Sequence, residues 1–152
     1  MWDLSLVDPD NRRPVDYDLR RRMLSELESG MDVEEIERRM DSGLPKLWIV
    51  HNALCLRREH PEWFGAEAEY TPLVADGSKA EYLVGYLRGS CVATLVPRWT
   101  LSLSDRWGAT TVELPPGQWK NLLTRETVTG GRLRAQTLLQ RFPVALLTRE
   151  AE

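Results

Sequence analysis

The stretch AEYLVGYLRGSCVATLV, residues 80–96, decides how this chain is read. In its first half Tyr82, Val84 and Tyr86 alternate with Leu83, Gly85 and Leu87, the period of two that a β-strand imposes. Arg-Gly-Ser at 88–90 then offers turn chemistry, and residues 91–96 resume as a second strand, so the stretch predicts a hairpin. Toward the C-terminus, further strands are expected at 110–114, 118–122, 132–135 and 144–149. Pro115-Pro116-Gly117 and Gly130-Gly131 read as the turns between them. Short strands at such spacing suggest an antiparallel β-sandwich over residues 66–152.

Toward the N-terminus the period changes to that of helices. Leu19, Met23, Leu24 and Leu27 share a face over 17–29, with Gly30 as a stop. Asp32 followed by Glu35 resembles a capping box and opens a helix over 32–41, with Val33, Ile36 and Met40 on one face. A third helix is expected from about 45 to 59. Pro45 suits its first turn, Arg57 and Arg58 suit its negative end, and Pro61 forbids its continuation. Its run LWIVHNALCL, residues 47–56, is apolar on nearly every face and predicts burial on more than one side. The fold class is therefore α+β: helices over 1–65, then a β-domain over 66–152.

Composition narrows the classes of function. The chain has 152 residues, 42% hydrophobic and 28% charged, with a net charge of −3. That balance is globular and lacks the basic footprint of a nucleic-acid binder. Cys55 and Cys91 have no CxxC spacing and read as small core residues in a reducing compartment. His51 and His60 form no metal motif, and Ser102, Ser104 and Asp105 with His60 form no triad pattern. The Met-Trp-Asp-Leu start lacks a basic n-region, and no apolar run approaches the ~20 residues of a membrane span. A soluble, cytoplasmic protein is expected, with no membrane partner. Trp48, Trp63, Trp99, Trp107 and Trp119 are expected to pack rather than to form a sugar-stacking platform.

One loop carries specific chemistry. VDPDNRRPVDYD, residues 7–18, sets aspartates around two adjacent arginines and two prolines. Arginine forks and aspartates in a proline-stiffened loop suit a polyhydroxylated ligand such as a sugar. An internal Asp–Arg network that only fixes the loop is the other reading. Neighbours in one loop seldom straddle a scissile bond at the separation an acid/base pair needs.

The segment WDLSLVDPDNRRPVDY, residues 2–17, closely resembles the loop after the last barrel strand of the maltooligosyl trehalose synthases, members of the α-amylase-like glycoside hydrolases. The resemblance continues through GLPKLW (43–48), YTPL (70–73), WGATTVELPPGQW (107–119) and RFPVALL (141–147). It implies a C-terminal region only: loop and helices from the end of a (β/α)8 barrel, then the closing β-domain. It implies a (1→4)-α-D-glucan 1-α-D-glucosylmutase, which converts a maltooligosaccharide to maltooligosyl trehalose by intramolecular transglycosylation, without an organic cofactor. By the same resemblance Asp8 and Arg12 contact sugar hydroxyls at the barrel rim. Asp10 and Arg13 either do the same or brace the loop. The catalytic carboxylates lie on earlier strands of such enzymes, so this chain carries no catalytic residue. Met1 falls at a mid-chain position of the family pattern, as an internal methionine or an engineered start would. The implied partners are the maltooligosaccharide and the rest of the barrel. The other reading is a stand-alone α-glucan-binding or protein-interaction module.

Overall fold

Asp16 accepts a hydrogen bond from the backbone N–H of Leu19 at 2.8 Å. That caps helix α1, Tyr17–Glu28, whose Met23 and Leu27 are buried one turn apart. The structure is a computed structural model that describes residues 15–103 and 107–150. It divides into two compact units, Met1–His51 and Asn52–Glu152.

In the first unit Gly30, at φ +96°, ends α1 in the left-handed region that a side chain resists. Asp32 caps α2, Val33–Arg38, and Val33 and Ile36 are buried. This helix stops earlier than its sequence period suggests. Arg39 leaves helical geometry at φ −91°, ψ 28°, with its guanidinium held by Glu26 of α1 at 2.6 Å. Met40–Ser42 then tighten into a 3-10 turn, closed by Gly43 at φ +88°. Arg20 Nη1 donates to the Ser42 carbonyl at 3.3 Å. Met40 consequently faces solvent instead of joining Val33 and Ile36.

Helix α3, Leu44–Glu59, runs through the division between the units. Leu44, Trp48 and Leu56 are buried, as its apolar composition predicts. Val50 and Leu54, one turn apart, are instead 42% and 59% exposed. One apolar face of α3 therefore lacks a cover among the described residues.

The second unit grows from the expected hairpin. Strands β3 (Leu83–Arg88) and β4 (Val92–Pro97) pair antiparallel. They join through Gly89 and Ser90, both at positive φ, with the Cys91 N–H donating to the Arg88 carbonyl at 3.1 Å. That is a type I′ turn, whose twist matches the strands. Strand β1 (Tyr70–Leu73) pairs with β3, and β4 pairs with β7 (Ala145–Arg149). Strand β7 pairs with the end of the long strand β5 (Thr111–Asn121). The start of β5 pairs with β2 (Ala75–Asp76), one residue beyond β1 in the chain. Strand β6 (Thr127–Arg134) lies along the opposite edge of β5. The order β1-β3-β4-β7-β5-β2 thus brings the sheet back to the segment where it began. A single curled antiparallel sheet takes the place of the two facing sheets of a sandwich. Leu83, Leu87, Ala93, Leu95, Val112, Leu114, Trp119 and Leu147 fill its interior. Helices α4 (Thr100–Leu103) and α5 (Ala135–Leu139) contribute Leu103, Leu138 and Leu139 to the same core.

Both expected turns, Pro115-Pro116-Gly117 and Gly130-Gly131, lie inside strands and face each other. Leu114 pairs with Gly131 and Gln118 with Thr129, so three residues of β5 oppose Gly130 alone. Proline has no N–H for the ladder, so β5 bulges at this point rather than ending. The bulge sends the Pro115 carbonyl to Trp119 Nε1 at 2.9 Å. A Cβ on Gly130 would lie 1.9 Å from that same carbonyl oxygen. The two strands expected at 110–114 and 118–122 are consequently one. The chain reverses further on, where Asn121 Oδ1 accepts from the Leu123 N–H at 3.1 Å and Arg125 takes φ +64°.

Candidate functional site

Asp8, Asp10, Arg12 and Arg13, the residues expected to hold a sugar, lie outside the described residues. The end of their loop is described. Asp16 is committed to capping α1, and Asp18 pairs with Arg21 at 2.7 Å on an exposed surface. Those two aspartates of the charged stretch serve the helix.

The tryptophans separate by environment. Trp48, Trp107 and Trp119 are buried, as expected. Trp63 is half-buried and stacks on His60, the ring centroids 3.7 Å apart and the planes 3° apart. Glu62 Oε1 lies 3.2 Å from Nδ1 of that histidine. Trp99 departs from the expectation: it is 55% exposed and held at φ +50°. The Arg98 guanidinium sits 4.1 Å from its ring centroid, and Tyr82 meets it edge-on at 5.8 Å. Among the described tryptophans it alone is exposed, so no pair of them forms a platform.

The sheet register assembles a different surface, which the sequence did not reveal. Tyr70 pairs with Arg88, and Pro72 with Tyr86, so all four point to one face. Thr94, opposite Tyr86 on β4, joins them. The alternate positions Leu87, Ala93 and Leu95 enter the core, which makes this the outer face. The Tyr70 and Tyr86 rings stack at 5.0 Å with planes 25° apart, and Tyr70 is 56% exposed. Arg88 Nη2 donates to the carbonyls of Phe64 at 3.0 Å and Gly65 at 3.3 Å, which ties the 61–65 turn to the sheet. Arg57, from the last turn of α3, completes an open groove of about 290 Å³ with Phe64, Tyr70, Tyr86, Arg88 and Thr94. Of these residues only Tyr86 belongs to the alternating pattern visible in the sequence. Tyr70 meets it through a pairing of distant segments.

Cys55 and Cys91 are half-buried thiols. Among the described residues, no group of three His, Cys, Asp or Glu side chains is placed to hold a metal ion. No described helix is long and apolar enough to cross a membrane.

No protein-family model matches the sequence. The chain is 40% identical over 151 residues to the maltooligosyl trehalose synthase of Mycobacterium tuberculosis, a match that covers 99% of this chain and 18% of that protein. The maltooligosyltrehalose synthase structure from Arthrobacter ramosus superimposes with a TM-score of 0.82 at 38% identity, covering 98% of this chain and 19% of that one. A further maltooligosyl trehalose synthase crystal structure, at 23% identity and TM-score 0.64, shares the fold. The chain spans less than a fifth of the length of these relatives. Across nearly all of its residues, in sequence and in fold, it is therefore homologous to one segment of the maltooligosyl trehalose synthases.

Proposed function

We propose that this chain is the C-terminal part of a (1→4)-α-D-glucan 1-α-D-glucosylmutase, acting in trehalose formation. The observation that carries the reading is 40% identity sustained over 99% of the chain but only 18% of the relative. Residues 1–65 are then the last loop and helices of a catalytic barrel, and 66–152 its closing β-domain. The open face of α3 at Val50 and Leu54 supports this, because an apolar face of that kind suits a helix packed on a barrel.

In the whole enzyme, a carboxylate supplied by the earlier barrel strands breaks the reducing-end α-1,4 bond and holds the glycosyl group covalently. An acid/base carboxylate gives its proton to the departing O4, then takes one from the anomeric hydroxyl of the released glucose. That hydroxyl attacks the glycosyl-enzyme and closes the α,α-1,1 bond. Two inversions give net retention, and no water is consumed. Asp8 and Arg12 hold sugar hydroxyls at the rim, and Asp10 and Arg13 do the same or brace the loop. Their task is to keep the released glucose in place while it turns its anomeric hydroxyl to the intermediate.

The test is the coding sequence upstream of Met1 and the enzyme it encodes. A frame continuing through barrel-type carboxylate motifs, whose product turns maltopentaose into a non-reducing sugar, is the expected result. Arg12→Ala in that product should lower kcat/KM by about tenfold or more with its melting temperature unchanged. A stop codon and ribosome site just upstream would overturn the reading.

A further inference from the structure

We infer that the outer-face groove between the 61–65 turn and strands β1, β3 and β4 is a second α-glucan-binding site, built from residues other than those of the 7–18 loop. The inference rests on the proposed glucan chemistry for the choice of ligand, and on the geometry of the groove for its place.

Three features of the groove match a pyranose chain. The first is a flat aromatic surface: the Tyr70 ring, backed by Tyr86 at 5.0 Å, is 56% exposed. A sugar ring presents a face of C–H bonds that packs on such a surface. The backing ring also fixes the plane of Tyr70 before any ligand arrives, so little side-chain entropy is lost on binding.

The second feature is a set of donors beside that surface. Arg88 is already oriented by its two bonds from Nη2, and a guanidinium carries five N–H bonds in all. Arg57 lines the same groove and makes no ion pair with a described residue. Guanidinium forks bridge adjacent hydroxyls, and Thr94 adds a hydroxyl that both donates and accepts. The third feature is shape. At about 290 Å³ the groove sits near the low end of the ~300–1,000 Å³ of small-molecule sites, and it is open to solvent. That is room for a ring or two of a longer chain. No residue in it is placed to cleave a bond, so the site holds glucan and does not transform it.

The test is a titration of the purified chain with maltoheptaose, followed by NMR shifts at the tyrosine rings and arginine side chains. Saturable shifts at Tyr70, Tyr86 and Arg88 are expected. Tyr70→Ala should weaken binding about tenfold, with the melting temperature unchanged because the ring is exposed. Arg12→Ala should leave groove binding as it is, which separates this site from the rim loop. Absence of shifts in the groove, or full binding by Tyr70→Ala, would overturn the inference. So would displacement of the sugar by millimolar inorganic phosphate, which would mark an anion site built on Arg57 and Arg88. The synthase reading is judged by turnover of the continuous enzyme instead. A silent groove beside an active enzyme removes this inference alone, and groove binding beside an inactive enzyme removes only the other.

Discussion

Gly130 and Trp119 are the two residues on which the bulge of β5 depends, through one carbonyl. The Pro115 oxygen accepts from Trp119 Nε1 and leaves no room for a side chain at position 130. Gly130→Ala should therefore lower stability by about 3 kcal/mol, because the obstacle is backbone and does not yield. Gly65→Ala, whose added Cβ meets nothing closer than 3.8 Å, is the control and should stay within about 0.5 kcal/mol. Trp119→Phe keeps the ring in the core but strands the carbonyl and opens a void. We expect a loss of about 2–3 kcal/mol. Urea titrations of the three variants check both statements, and equal midpoints for the two glycine variants would refute the first. Little of this was legible in the sequence. Proline and glycine carry the same signature in a turn and in a bulge, and only the partner strand distinguishes them. The inward turn of Trp119 was not legible either, since it lies an odd number of residues beyond Val112 and Leu114 and only the bulge resets the alternation so that Trp119 and Asn121 are buried.

Helices and strands followed their local pattern wherever local chemistry sufficed. α1 has its expected glycine stop and buries Met23 and Leu27 of its expected face, while Leu19 is 40% exposed and the Asp16 cap was not read from the sequence. Asp16→Ala removes that cap, and about 1 kcal/mol of stability in the first unit should go with it. Faster amide exchange at the first turn of α1 would show it, and unchanged exchange would mean the carboxylate is idle. The hairpin of β3 and β4 was equally legible, because two residues at positive φ suit Gly-Ser. The end of α2 was not, since Arg39 answers to Glu26 on another helix. Nor was the groove, whose tyrosines meet only once β1 finds its register on β3. Helix α3 offers a test of its own. Leu54→Lys should change the stability of this chain by less than about 0.5 kcal/mol, because Leu54 is 59% exposed. In the proposed continuous enzyme the same change buries a charge against the barrel and should cost several kcal/mol. Equal melting-temperature changes in both contexts would count against a covered face.

For the whole molecule, the proposal requires that the purified chain leave maltopentaose unchanged, because the carboxylates that form and resolve the glycosyl-enzyme belong to the earlier barrel strands. A reducing-end assay over hours, with the continuous enzyme as the positive control, is sufficient. Loss of reducing ends with the chain alone would refute the assignment of roles. The four residues proposed for the rim were named from sequence resemblance, and they lie outside the described residues.

The curled sheet also has a seam. Its return to the starting segment rests on two paired residues, Ala75 with Val112 and Asp76 with Thr111. The ion pair of Asp76 with Arg132 reinforces it from the surface, and the bond from the Lys79 N–H to Thr110 Oγ1 at 3.0 Å reinforces it from within. Every other neighbour along the path is joined by a longer ladder. A cylinder fastened so briefly on one side breathes there first. The cut that would unroll it with least loss falls between β2 and β5, and a cross-link placed there would hold the most chain with the fewest atoms.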